Sequence, residues 1–357
     1  MPKFHPLRVK KIRRETADCV SVAFEVPKDL EREYEFIPGQ HLTLKTQING
    51  KEVRRSYSIC TCPVDEELEV AVKKQEGGQF STFANEQLSE GDLLDVMTPM
   101  GSFHTKLHPD NEKHYVAFAA GSGITPVLSI LRSVLKIEPK SQFTLFYGNR
   151  STDSIIFREE IEALKNRHLG NLSVHHILSR EQPEIPLFHG RITTEKCRAF
   201  CDKLLDVSEI DDFFLCGPEP MIQAVKETLL SFGTDEKRIH FELFTSPAGK
   251  LVHASRKKQT SKPAIISKIK ITLDGNSFAF DLTSDGDTVL EAALKGGADL
   301  PFACKGGVCC TCKAKLLEGE VEMDVHYGLE EEQIKAGYIL TCQSHPKTAQ
   351  VVVSFDE

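Results

Sequence analysis

Along the first third of the chain, hydrophobic and polar residues alternate in short runs. Val20-Ser21-Val22-Ala23-Phe24-Glu25-Val26, His41-Leu42-Thr43-Leu44 and Leu68-Glu69-Val70-Ala71-Val72 follow this pattern, with turns such as Pro38-Gly39 and Asn49-Gly50 between them. Closely spaced strands without long helices predict a small antiparallel β-barrel from Phe4 to about Met100. At Tyr115 the texture changes. Tyr115-Val116-Ala117-Phe118-Ala119-Ala120 is continuously apolar, as in a strand buried on both faces. It runs through Gly121-Ser122-Gly123-Ile124-Thr125-Pro126 into a helix predicted over Val127 to Leu135. Further strands at Phe143–Gly148, Leu172–Leu178 and Asp212–Cys216 alternate with helical segments from Phe157 to Lys165 and from Met221 to Leu230. That alternation predicts a mostly parallel α/β sheet with ligands at the carboxyl ends of its strands.

Ala248 to Pro263 is polar, contains Arg256-Lys257-Lys258 and reads as a flexible tether. Beyond it, Ile269–Leu273 and Ser277–Phe280 form a predicted hairpin around Asp274-Gly275-Asn276. Asp287 to Lys295 reads as a helix stopped by Gly296-Gly297, and Val351–Phe355 as a closing strand. The expected division is therefore a barrel at 1–108, an α/β domain at 109–248, a linker at 249–264 and a small α+β domain at 265–357. A chain of 357 residues exceeds one ordinary core, in keeping with several domains.

The last domain carries the strongest chemical signal. Cys304, Cys309 and Cys312 stand at C-x4-C-x2-C spacing, and a fourth candidate, Cys342, follows later. Four thiolates hold two irons bridged by sulfide, and plant-type [2Fe–2S] sites use this spacing. Gly306 and Gly307 let the loop wrap closely, its amides turned toward negatively charged sulfur. Zinc usually takes two C-x2-C pairs, which the chain lacks, and a disulfide pair is the other alternative. Cys310 breaks the spacing and is read as a non-ligand. Eleven cysteines in a chain this long do not suggest a disulfide scaffold; Cys19, Cys60, Cys62, Cys197 and Cys201 are scattered and expected free.

Weaker motifs lie on the barrel and the α/β domain. Arg55-Ser56-Tyr57-Ser58 falls on a strand, so Arg55 and Tyr57 share a face. The arginine suits a pyrophosphate, the tyrosine a planar ring and Ser58 a ring edge. Glu76-Gly77-Gly78-Gln79-Phe80-Ser81-Thr82 leads into a helical run from Phe83 to Leu88, with Ser81 and Thr82 as its cap and an anion site at its start. Gly121, Gly123 and Thr125 form a strand–turn–helix phosphate site, although Pro126 replaces the third-glycine region of a full dinucleotide fingerprint. Arg150, Arg180 and Arg191 stand just past strand ends and together suit a 2′-phosphate, favouring NADPH over NADH. A net charge of −8 argues against nucleic acid. The absence of a signal-like or membrane-spanning apolar run predicts a soluble, cytoplasmic protein without a membrane partner.

In this order the segments resemble the ferredoxin–NADP⁺ reductase-like superfamily, and within it the oxygenase reductases with a C-terminal plant-type ferredoxin domain. Pro38–Leu44, Arg55–Cys60, Ser141–Arg150 and Cys304–Cys309 narrow the likeness to reductases that serve a di-iron phenylacetyl-CoA epoxidase in phenylacetate degradation. The resemblance implies a flavin barrel, a nucleotide-binding parallel sheet and a β-grasp [2Fe–2S] domain. It implies FAD (with FMN the alternative) bound by Arg55, Ser56, Tyr57, Ser58, Val72, Gly77, Gly78, Ser81 and Thr82. It implies a nicotinamide nucleotide at Gly121, Gly123, Thr125, Cys216, Gly217 and Pro218. Ser58, Cys216 and Phe244 are then the residues at the reacting rings, Phe244 covering the flavin where nicotinamide enters. Electrons would pass from NADPH to FAD, then to a cluster on Cys304, Cys309, Cys312 and Cys342, then to an oxygenase component. Reductases of Rieske ring-hydroxylating oxygenases or desaturases are nearby alternatives, and a non-enzymatic redox sensor is one of another class.

Overall fold

The computed structural model describes residues 3–65, 67–244 and 265–357. The linker read from the sequence lies outside the described residues. The rest falls into two compact units, the first holding the α/β sheet and the barrel except Arg54–Ser56, the second holding those three residues and the chain from Leu243 onward, with the C-terminal domain.

The barrel has six strands, β1 (Phe4–Thr16), β2 (Cys19–Glu25), β3 (His41–Ile48), β4 (Lys51–Ser58), β5 (Leu68–Lys73) and β6 (Leu93–Met97). Their order is β4-β3-β6-β1-β2-β5. An antiparallel bridge from Ile59, just past β4, to Val70 in β5 joins the two edges, which is how a sheet removes its exposed polar edges. Inward positions such as Leu7, Val22, Leu42 and Val70 are fully buried. Helix α1 spans Gln79–Glu86. It starts earlier than the sequence pattern predicts, because Gly78 already has extended backbone torsions and serves as the N-cap. Ser81 and Thr82 therefore lie in its first turns rather than capping it.

The second sheet has five strands in the order β11-β10-β7-β8-β9, every pair parallel. These are β7 (His114–Ala120), β8 (Gln142–Asn149), β9 (Leu172–Leu178), β10 (Asp212–Cys216) and β11 (Ile239–Glu242). Between them run α2 (Ile124–Ile137), α3 (Arg158–Arg167), α4 (Thr194–Leu204) and α5 (Glu219–Ser231). Helix α2 begins three residues before the predicted Val127, with Pro126 in its first turn, where a missing N–H costs nothing. Its buried face packs on the sheet, and it also reaches the barrel: Ser129 donates to the Thr61 carbonyl at 2.6 Å and Arg132 to the Cys60 carbonyl at 3.0 Å.

The C-terminal domain has a five-stranded sheet, β13-β12-β18-β14-β16. Strands β12 (Ile266–Leu273) and β13 (Asn276–Thr283) form the predicted hairpin, closed by Asp274 and Gly275, both left-handed. Strand β18 (Gln350–Ser354) lies parallel to β12 and antiparallel to β14 (Lys313–Glu318), which pairs with β16 (Tyr338–Leu340). Two short strands, β15 (Val321–Met323) and β17 (Ser344–Pro346), pair beside it. Helix α6 (Val289–Lys295) is capped by Thr288, whose hydroxyl accepts from the Glu291 amide at 3.2 Å. A short helix α7 (Glu331–Lys335) precedes β16.

Candidate flavin, nucleotide and iron–sulfur sites

In the first unit, the end of β4 faces the carboxyl ends of β10 and β11. Ser58 is buried and its hydroxyl donates to Glu242 Oε2 at 3.2 Å. Glu242 and Cys216 are in register on neighbouring parallel strands and share a face. His41 Nδ1 stands 4.0 Å from Glu242 Oε1, and its Nε2 is buried with no hydrogen-bond partner among the described residues. Burial pushes the Glu242 carboxyl up to about 8 and the His41 imidazole down to about 4. At neutral pH the pair is therefore largely a protonated acid beside a neutral ring. Burial and the adjacent Glu242 also push the Cys216 thiol well up. The cluster rejects charge, and it places three protic groups around one spot.

The barrel motifs surround the same unit. Tyr57 is half-buried with its ring 5.5 Å from that of Phe80, and Arg55 is exposed. Ser81 accepts from the Gln75 amide at 3.0 Å, tightening the turn that carries Gly77 and Gly78. Val72 lies in the barrel core rather than on a surface. The first-turn amides of α1 lack intrahelical partners, as in any helix, and so can meet an anion.

On the nucleotide side, β7 ends in a 3-10 turn at Gly121–Gly123 that runs directly into α2. Gly123 is required by close approach: a Cβ there would lie 2.1 Å from the Cys216 carbonyl oxygen. Thr125 is buried and donates to the Ser122 carbonyl at 3.0 Å, holding the turn. Lys73 Nζ stands 3.9 Å from where a Cβ of Gly121 would be, a cation at the mouth of the turn. Gly217 and Pro218 follow β10, Pro218 being the N-cap of α5. Arg150, Arg180 and Arg191 are exposed. The Arg180 amide donates to the Arg150 carbonyl at 2.7 Å, and Gly190, just before Arg191, donates to Leu178 at 2.8 Å. The backbone thus brings all three to the carboxyl edge of β8 and β9. Phe244 is exposed, two positions beyond Glu242.

Sequence reading missed Glu242, His41 and Lys73. Glu242 had a readable signal: alternation along His240-Phe241-Glu242-Leu243-Phe244 puts it on the side of Phe244. The partners of His41 and Lys73 lie far away in sequence, so only the fold reveals them.

In the second unit, the cysteine loop supplies sulfur acceptors and amide donors together. The Gly306 amide donates to Cys304 Sγ at 3.3 Å and the Cys304 amide to Cys309 Sγ at 3.5 Å. Lys305, Gly307 and Cys310 all have positive φ, which curls the loop. Cys304, Cys309, Cys312 and Cys342 are all free thiols. Hydrogen bonding from the Cys309 thiol, then from the amides of Gly306, Val308 and Cys309, lowers the Cys304 thiol against its burial. Among the described residues, no three His, Cys, Asp or Glu side chains gather into a metal-holding group. The donors are nonetheless thiols with amides aimed at sulfur, which fits a thiolate-held cluster. Cys310 donates to the Gly328 carbonyl.

Comparison with known proteins agrees with this arrangement. Residues 6–105 match the oxidoreductase FAD-binding domain, 118–227 the oxidoreductase NAD-binding domain and 271–347 the 2Fe-2S iron-sulfur cluster binding domain. The chain belongs to the family of oxygenase reductase components that join FAD-binding, NAD-binding and 2Fe-2S domains, and it is an oxidoreductase of that kind. It is 43% identical to a component of the 1,2-phenylacetyl-CoA epoxidase of Escherichia coli (strain K12), over 100% of this chain and 99% of the relative. It is 33% identical to the ferredoxin reductase component of 3-ketosteroid-9-alpha-monooxygenase of Rhodococcus rhodochrous, over 98% and 96% of the two chains. Phthalate dioxygenase reductase shares the fold, with a TM-score of 0.56 and 21% identity over 99% and 98% of the two chains. Among the described residues no helix is long and apolar enough to cross a membrane.

Proposed function

We propose that this chain draws electrons from NADPH and delivers them singly to a di-iron oxygenase acting on phenylacetyl-CoA. When bound, the nicotinamide supplies an electron pair as hydride, the flavin accepts pairs and releases single electrons, and the cluster carries one electron at a time. Arg55 and the first turn of α1 hold the flavin pyrophosphate, and Tyr57, braced by Phe80, lies against the ring. Ser58, its proton directed at Glu242, presents its hydroxyl oxygen to the ring edge. Gly121, Gly123 and Thr125 shape the pyrophosphate turn of the nucleotide, with Lys73 as an added cation. Cys216, Gly217 and Pro218 border the nicotinamide, and Phe244 covers the ring. Cys304, Cys309, Cys312 and Cys342 hold the cluster.

The observation that carries the electron-input half is the buried Ser58–Glu242 bond beside Cys216, where barrel and parallel sheet meet. Preference for NADPH is supported by Arg150, Arg180 and Arg191 at one sheet edge. Replacing Arg150 and Arg180 together by alanine is expected to raise KM for NADPH about tenfold or more, the order of one charge-assisted contact, and to leave KM for NADH nearly unchanged. Equal effects on both would remove the 2′-phosphate assignment. The partner is supported by identity over the whole length to the epoxidase component. Mixing the reduced protein with the epoxidase oxygenase component should oxidise it rapidly. Faster oxidation by a Rieske oxygenase component would favour the second reading, which the steroid monooxygenase relative supports.

A further inference from the structure

Gln343, next to the fourth cysteine, is fully buried. Its Nε2 lies 2.9 Å from the Cys342 carbonyl, 3.1 Å from the Lys305 carbonyl and 3.5 Å from Cys342 Sγ. The two carbonyls fix which end of the amide faces them, since an oxygen there would be repelled. The bond to Lys305 ties the fourth-cysteine segment to the Cys304–Cys312 loop. A Cβ at Gly307 would stand 3.1 Å from Gln343 Cγ, so the side chain also packs directly on that loop. At the other end, Oε1 is buried without a hydrogen-bond partner among the described residues. Burying an amide with one end unsatisfied is costly, and methionine or leucine would fill the same space without that penalty. Packing alone therefore does not account for glutamine here; the N–H end does, one N–H meeting the Lys305 carbonyl and the other shared between the carbonyl and the sulfur of Cys342.

We infer that Gln343 is a positioning residue that aims a side-chain N–H at the Cys342 sulfur and thereby raises the reduction potential of the iron–sulfur centre. This rests on the reading that Cys304, Cys309, Cys312 and Cys342 hold a [2Fe–2S] cluster. A hydrogen bond to a ligand sulfur stabilises the more negative, reduced form, so its loss disfavours reduction. The backbone donors to Cys304 and Cys309 cannot be deleted by substitution, whereas this one can.

The test is an EPR-monitored redox titration of the full-length holoprotein and of Gln343→Met and Gln343→Leu, with iron, sulfide and thermal midpoint measured alongside. The expected result is a shift of the one-electron equilibrium toward the oxidised centre by about tenfold, equal to about 59 mV, in variants with wild-type iron and sulfide. Loaded variants that titrate with the wild type overturn the inference. A wild-type protein that shows no [2Fe–2S] signal after reconstitution overturns instead the cluster reading beneath it. Pulsed EPR on reduced wild type carrying glutamine labelled with ¹⁵N only at the side-chain amide provides an arm independent of variant folding. A ¹⁵N hyperfine coupling is expected, and its absence overturns the inference even if neither variant loads iron.

Discussion

Glu242 concentrates the electrostatic character of the proposed electron-input site. Its ordinary value is 4.5 and burial raises it to about 8. The folded state therefore holds a proton that the unfolded chain releases, and folding becomes less favourable as pH rises from 4.5 to 8. Replacing Glu242 by glutamine removes that dependence while keeping the Ser58 contact. The thermal midpoint of Glu242→Gln should gain on the wild type as pH rises through that window and level off above it. Parallel curves would show that Glu242 is not protonated in the folded protein. The same scale shows what a sequence can and cannot disclose. The cysteine loop is legible because its spacing is local to one stretch of chain, and Gly123 because a strand–glycine–helix succession is local too. His41 and Lys73 acquire meaning only from partners on other elements, and the alternation that puts Glu242 on the side of Phe244 does not disclose its bond to Ser58, 184 residues away in sequence.

At the scale of elements, strands were legible where apolar runs met turn residues. The predicted Leu172–Leu178 strand coincides with β9, and the hairpin of the last domain is closed by the predicted Asp274-Gly275. Helix starts were less legible. Both α1 and α2 begin before the predicted Phe83 and Val127, because Gly78 and Gly123 are the N-caps and Pro126 is tolerated in a first turn, and side-chain pattern does not report torsions. Two substitutions probe these elements. Gly123→Ala puts a methyl onto the Cys216 carbonyl oxygen, backbone against backbone. It should cost about 1–3 kcal/mol of stability and weaken nucleotide binding, measured by thermal melting and by titration with NADP⁺; binding at wild-type strength would show that the turn and β10 are not in contact. Thr288→Ala removes the cap of α6. It should cost about 1 kcal/mol, read as a lower thermal midpoint for the C-terminal domain with the flavin spectrum unchanged. An unchanged midpoint would mean the cap contributes nothing.

For the whole molecule, the order of parts follows from the number of electrons each handles. A barrel and a parallel sheet packed as one unit bring Ser58 to Glu242, which is in register with Cys216, the arrangement that the proposed hydride transfer would use. The cysteine loop belongs to a separate compact unit with its own core, as outward single-electron delivery requires. Three domains were legible from changes in periodicity, because each architecture has its own hydrophobic period. The compactness of the first two as one unit was not, since the contacts of Ser129 and Arg132 with barrel carbonyls are long-range. The most direct test of the relay is a comparison of wild type with Cys342→Ser. Stopped-flow absorbance would follow flavin bleaching by NADPH and, separately, reduction of an external acceptor protein. Flavin bleaching should stay nearly at the wild-type rate while acceptor reduction is abolished. Equal loss of both, or acceptor reduction that survives the substitution, would contradict the relay.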